Sequence, residues 1–154
     1  IGNNNIIRGS HIGAGCVTGF NTDITRSYIG EACWFHSNYI GDSVLEGNVS
    51  MGAGSVLANL RLDEGEISSA IGENKEPTGR TKLGVMIGRG VRIGVNTSIM
   101  PGVKIGKQSC IGAGIVVDRD VPDESYCVGK SILTITKNTR STAGTSRDKF
   151  RKLL

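Results

Sequence analysis

Between Ile87 and Val117 an aliphatic residue returns every six positions, at Ile87, Ile93, Ile99, Ile105, Ile111 and Val117. Glycine follows at Gly88, Gly94, Gly106 and Gly112. An amphipathic helix needs apolar residues at i, i+3, i+4 and i+7, and a half-buried strand needs period two. Period six satisfies neither. It suits a chain that turns a corner after each short strand and stacks coil upon coil, a hexapeptide-repeat parallel β-helix. Three hexads then make one triangular coil. The aliphatic side chain points inward onto its equivalents above and below, and its burial contributes about 1.5–3 kcal/mol. The next residue sits at a tight bend where a side chain would crowd the backbone, and glycine tolerates such angles. A narrow prism of this kind has no room for large rings, in keeping with 23 glycines and 5% aromatic residues.

The flanks repeat the theme less strictly. Ile1, Ile6, Ile12, Thr18 and Ile24 mark corners of the first coils, and Ile29-Gly30 continues them. The register then breaks over Glu31 to Asn38, which holds Trp34 and His36, and resumes at Ile40, Leu45, Met51 and Leu57. A second, polar interruption runs from Ala58 to Leu83. Insertions in a solenoid map to surface loops, often on the binding face. After Val117, Asp118 to Pro122 reads as the end of the prism and Val128-Gly129 as a last imperfect corner. Ser146 to Leu154 suits a short amphipathic helix capped by Ser146. The domain reading is therefore a β-helix over 1–129, with loop insertions at 31–38 and 58–83, and a basic extension over 130–154.

The net charge of +4 belongs to that extension, which carries seven basic residues against Asp148. Phe150 is its only aromatic residue, which disfavours a nucleic-acid surface. No apolar run approaches the ~20 residues that cross a bilayer. The four cysteines form no C-x-x-C pair and no zinc or disulfide spacing. Reduced, packed thiols predict a soluble cytoplasmic protein with no membrane partner. A start at Ile1 in mid-repeat suggests a piece of something longer.

Three stretches form an ordered set around the breaks: HSNYIGDSV (36–44), MGAGSVLANLR (51–61) and GRTKLGVMIG (79–88). With them the chain resembles the C-terminal acetyltransferase domain of the bifunctional sugar-1-phosphate nucleotidylyltransferase/acetyltransferases, of the glucosamine-1-phosphate N-acetyltransferase type. The resemblance spans roughly Ile1 to Gly129 and is most specific over 36–61 and 79–106. It implies an all-β, left-handed parallel β-helix with a short C-terminal helix or tail. It also implies a homotrimer with active sites between neighbouring prisms, acetyl-CoA as cosubstrate, no metal, and an N-terminal nucleotidylyltransferase domain ahead of this one.

The resemblance also assigns roles. His36 matches the general base that takes a proton from the sugar amine as it attacks the thioester; an imidazole can accept that proton at neutral pH. Tyr39 and Lys82 match groups facing the sugar phosphate. Asn59 matches an asparagine where the sugar and acetyl-CoA sites meet. Ala53 and Ala113 match small positions where backbone approaches acetyl-CoA, and a backbone N–H there could hold the oxyanion. Lys130 falls near the phosphates of CoA. The best-known member of the family has asparagine, tyrosine and serine where Ser50, Leu60 and Val95 stand. Asp23 replaces a phosphate-binding arginine, with Arg26 close by as the substitute. The resulting expectation is N-acetylation of glucosamine-1-phosphate or galactosamine-1-phosphate. The alternative is a non-catalytic β-helix that trimerises or regulates a sugar nucleotidylyltransferase. A zinc hydratase on this fold would need three histidines per metal, and the chain has only His11 and His36.

Overall fold

The computed structural model describes residues 1–72, 74–130, 134–137 and 139. They form a left-handed β-helix whose coils wind past three parallel sheets of six, five and six strands. The strands are two or three residues long, and in each pair the outward residue precedes the inward one. On the first face Ile7, Ile24, Ile40, Leu57, Ile99 and Val117 stack in register. On the second, Ile12, Ile29, Leu45, Ile87 and Ile105 do so. Thr18, Phe35, Met51, Ile93, Ile111 and Cys127 form the third. The central members of each column are fully buried. Parallel strands that turn the same way each coil let one apolar column run the length of the prism, which is why period six is legible in the sequence.

Four sequence expectations change. The segment 31–38 is not a loop: Trp34–Phe35 is a strand paired on both sides, with Thr18 and Met51 flanking Phe35. Phe35 is wholly buried, so the prism does accept a ring. The stack allows it because the neighbouring threonine is small. At the start, the inward residue is Ile7, while Ile6 is 53% exposed and Ile1 80%. At the end, the inward residue is Cys127, and Val128 stands exposed where other coils have glycine.

The glycine argument divides in two. A Cβ on Gly94 would lie 2.5 Å from the backbone nitrogen of Ala113 in the next coil, so crowding rather than backbone angle excludes a side chain there. The left-handed bend falls two residues later, at Gly90, Asn96, Gly102, Gln108 and Gly114.

The interruption at 58–83 does leave the prism. It carries an antiparallel hairpin, Ile67–Ile71 with Asn74–Arg80. Ile67 is buried, Ser69 Oγ donates to the Gly102 carbonyl, and Lys104 Nζ donates to the Ala70 carbonyl, so the arm is moored to the coil above. The helix expected over 146–154 lies outside the described residues, as does most of the 130–154 extension.

Candidate active site

Two neighbouring edges of the prism hold the candidate residues. The edge after the third face carries His36, Ala53 and Ala113. His36 follows Phe35 as Gly19, Gly52, Gly94 and Gly112 follow their inward residues, so it stands in a column that is glycine in four coils, with Val128 the other exception. Its backbone is held firmly. The His36 N–H donates to Asn38 Oδ1 at 2.8 Å, and its carbonyl accepts from Thr22 Oγ1. The same link repeats along the edge: Asn38 Nδ2 donates to Gly52 O, Ser55 Oγ to Gly94 O and Thr97 Oγ1 to Gly112 O. Thr22, Asn38, Ser55 and Thr97 are all buried beneath the corner. Sequence reasoning passed over this polar stack, although Thr, Asn, Ser and Thr at one repeat position is a readable signal. It satisfies the backbone from inside and leaves the His36 imidazole to face outward.

Ala53 and Ala113 are exposed on that edge, one and three coils beyond His36. Coils about 4.8 Å apart make this a row about 15 Å long. The amides of Gly52 and Gly54 donate to carbonyls of neighbouring coils. That of Ala53, between them, has no acceptor among the described residues. Lys130 is exposed beyond the strand Tyr126–Cys127, one coil past Ala113.

The edge after the first face is charged. Arg26 and Asp42 occupy the same bend in successive coils, both left-handed, with φ of 47° and 46°. Arg26 Nε donates to Asp42 Oδ1 at 2.6 Å and Nη2 to Oδ2 at 2.8 Å. Asn59 Nδ2 also donates to Asp42 Oδ2. Lys82 reaches this edge because the insertion returns there: Leu60 bridges Lys82, and Leu83 N donates to the Asn59 carbonyl at 3.1 Å. Tyr39 opens the strand Tyr39–Gly41 that runs from the His36 edge to this one, and its hydroxyl turns toward Gly41. Arg26, Tyr39, Asn59 and Lys82 therefore come together in one chain, whereas His36, Ala53 and Ala113 line the neighbouring edge.

Asp42 is the member that sequence reasoning missed. The run Ile40-Gly41-Asp42 reads as one more repeat, and the only signal was a carboxylate at a bend that usually takes glycine or asparagine. Burial pushes its carboxyl up, but the hydrogen bonds from Arg26 and Asn59 and the charges of Arg26 and Lys82 outweigh this and hold it below the usual carboxylate range. Asp23 is itself paired with Arg8 at 3.0 Å. His11 lies elsewhere, stacked on Tyr28 with ring centroids 4.9 Å apart.

Residues 84–119 match the family model described as bacterial transferase hexapeptide (six repeats). This chain is a hexapeptide-repeat domain. It is 44% identical, over 104 residues and 67% of its length, to the bifunctional sugar-1-phosphate nucleotidylyltransferase/acetyltransferase of Sulfurisphaera tokodaii. A bifunctional protein GlmU of Carboxydothermus hydrogenoformans is 32% identical over 124 residues, 80% of this chain. The hexapeptide-repeat domain spans about a quarter of these relatives, 26% and 24% of their lengths. They bear the name of the family that the motifs over 36–61 and 79–106 resemble. Among solved structures, an acetyltransferase-like product from Bacillus cereus aligns over 97% of this chain and 81% of its own, at 18% identity and TM-score 0.58. PerB of Caulobacter crescentus, solved with CoA and GDP-perosamine, aligns over 79% and 53%, at 23% identity and TM-score 0.50. These two likenesses establish the fold. No helix among the described residues is long and apolar enough to cross a membrane.

Proposed function

We propose that the domain transfers the acetyl group of acetyl-CoA to the amine of an amino-sugar 1-phosphate, by direct attack in a ternary complex. The observation that carries this reading is His36 in a glycine column, on the edge it shares with Ala53 and Ala113, in a chain 44% identical to a named acetyltransferase. His36 takes a proton from the amine as its nitrogen attacks the thioester carbonyl. The tetrahedral intermediate collapses, the C–S bond breaks, and the imidazolium returns the proton to the CoA sulfur. The balance is amine plus acetyl-CoA to amide plus CoA thiol. The N–H of Ala53, which has no acceptor among the described residues, is suited to the oxyanion, since a fixed donor needs no reorganisation at the moment of reaction.

The remaining roles follow the chemistry of each group. Tyr39, Lys82 and Arg26 face the sugar phosphate; Lys82 does so as a point charge on a flexible stem. Asn59 lies where sugar and acyl donor meet. Ala53 and Ala113 let an extended thioester arm lie against the edge, and Lys130 meets the phosphates of CoA. The groove is completed between neighbouring prisms of a homotrimer, in the cytoplasm, where the four thiols stay reduced. In a bifunctional whole, a nucleotidylyltransferase domain precedes it.

Thiol release from acetyl-CoA tests the proposal, with glucosamine-1-phosphate and galactosamine-1-phosphate as acceptors. Release by the parent protein that falls ~10²-fold or more in His36→Ala supports the base and names the sugar. No release and no acetyl-CoA binding by a well-folded protein would sink it.

A further inference from the structure

Asp42 holds two neighbours at once. Its carboxylate grips Arg26 through both oxygens and takes a third hydrogen bond from Asn59. Its side chain is only 14% exposed. An ionised carboxylate accepts hydrogen bonds and donates none. Whichever way the Asn59 amide is drawn, the end that meets Asp42 must be the NH2. The carbonyl Oδ1 is then the end left for a bound molecule.

The surroundings leave this amide little freedom. Asn59 is 7% exposed. A Cβ at Gly41 would lie 2.5 Å from Asn59 Nδ2 and 2.7 Å from the Tyr39 hydroxyl oxygen, so both side chains occupy the space that glycine vacates. The bond from Leu83 N to the Asn59 carbonyl fixes the backbone beneath.

We propose that Asp42 is a positioning residue: it turns the Asn59 amide so that its carbonyl oxygen meets the ligand, and it selects a ligand that presents an N–H there. Asn59 accepts rather than donates at this point. Under the acyl-transfer reading, on which the ligand's identity rests, that N–H is the acceptor amine. An amino sugar is favoured over its hydroxyl analogue because an N–H can keep donating to Asn59 after the nitrogen has surrendered a proton to His36.

Two measurements test this. The first is the side-chain amide resonance of Asn59 in the full chain. One Nδ2 proton is expected strongly downfield and slow to exchange in the parent, and also in Arg26→Met. It moves upfield and exchanges faster in Asp42→Asn, where the acceptor is a neutral amide and the bond is weaker. The second is kinetic. Asp42→Asn lowers kcat/KM for the amino-sugar phosphate about 10–100-fold, the scale of one hydrogen bond to a charged group. In a background carrying both Asn59→Ala and Arg26→Met, which removes both groups that Asp42 holds, the same substitution costs no more than about threefold, because a residue acting through others shows non-additive losses. Asp42→Ser serves as the reserve variant, with the same expectations, if Asp42→Asn does not fold. A parent-like Asn59 resonance without Asp42, or losses that multiply, would overturn the proposal. A parent chain that transfers no acetyl group defeats the acyl-transfer reading instead, and the amide resonance then decides the Asp42–Asn59 geometry alone.

Discussion

The stack from Ile87 to Val117 and the stack from Ile24 to Leu57 have one architecture and different contents. In the first, inward residues step by six without exception, and the left-handed bends are Gly90, Asn96, Gly102, Gln108 and Gly114. In the second, the steps from Ile24 to Ile29, Phe35 to Ile40 and Ile40 to Leu45 shrink to five. Two of those shortened corners hold Arg26 and Asp42 in the left-handed region. The glycine column of the second stack holds His36. Most side chains with candidate chemistry fall in the irregular stack, and the regular one contributes little beyond Ala113 and backbone. A β-helix core tolerates a changed corner as long as the inward column stays continuous. Corners are therefore where a solenoid can carry function without losing its fold.

The largest effects should come from the inward columns. Phe35→Ala removes a ring wholly buried inside the prism, beside Thr18, and is expected to cost about 3–5 kcal/mol in denaturant unfolding. Ile99→Ala, between Leu57 and Val117 in the regular stack, should cost about 2–5 kcal/mol. A value for Phe35→Ala well below that for Ile99→Ala would mean that the irregular stack collapses around the void. His36→Ala is the opposite case. It should lower acetyl transfer ~10²-fold, while the unfolding midpoint stays that of the parent, because the imidazole contributes nothing to the core.

Glycine substitutions sharpen the contrast between crowding and conformation. Gly94→Ala drives a methyl into the Ala113 backbone and should cost about 1–3 kcal/mol, the scale of overpacking. Gly72→Ala, at φ 61° on the hairpin turn with nothing near its Cβ, should cost only about 1–2 kcal/mol, the penalty of a left-handed L-residue. Equal losses at the two sites would remove the distinction.

The smallest effects are those of pH, and two groups of the irregular stack, Asp42 and Cys33, give them opposite signs. Asp42 is held below the ordinary carboxylate value, so its pairing stabilises the fold above the unfolded Asp pKa, about 3.9. That contribution is lost as pH falls through the folded value, and Asp42→Asn should flatten the acid limb of stability against pH. Cys33 is pushed up to about 11, chiefly by burial. Its contribution is complete below the unfolded thiol pKa, about 8.5, and is lost as pH rises to the folded value. Cys33→Ala should flatten the alkaline limb of the same unfolding curve. Exposed Cys110 should be alkylated well before buried Cys33.

How much was legible varies with how local the signal is. Ile87 to Val117 could be read without a structure, because its period is a property of consecutive residues. The insertion at 58–83 was legible as a loss of that period, but its hairpin and its mooring on Gly102 and Lys104 were not. Those depend on contacts more than thirty residues apart. The segment 31–38 misled because a phenylalanine replaces the aliphatic residue and a histidine the glycine. Only pairing with Val17–Thr18 and Ser50–Met51 identifies it as an ordinary strand and bend.

The same division governs the site. His36, Tyr39, Asn59 and Lys82 were picked out from motifs, whereas the partnership of Arg26 with Asp42 was not. Arg26 and Asp42 are sixteen residues apart, close to one full coil, and no local pattern shows that they stack. The sequence by itself determined the solenoid, since an inward aliphatic residue every six positions can be buried in no other regular way. The tertiary structure alone decided which corners coincide. The winding makes neighbours of residues one coil apart, and each shortened step shifts which residues those are.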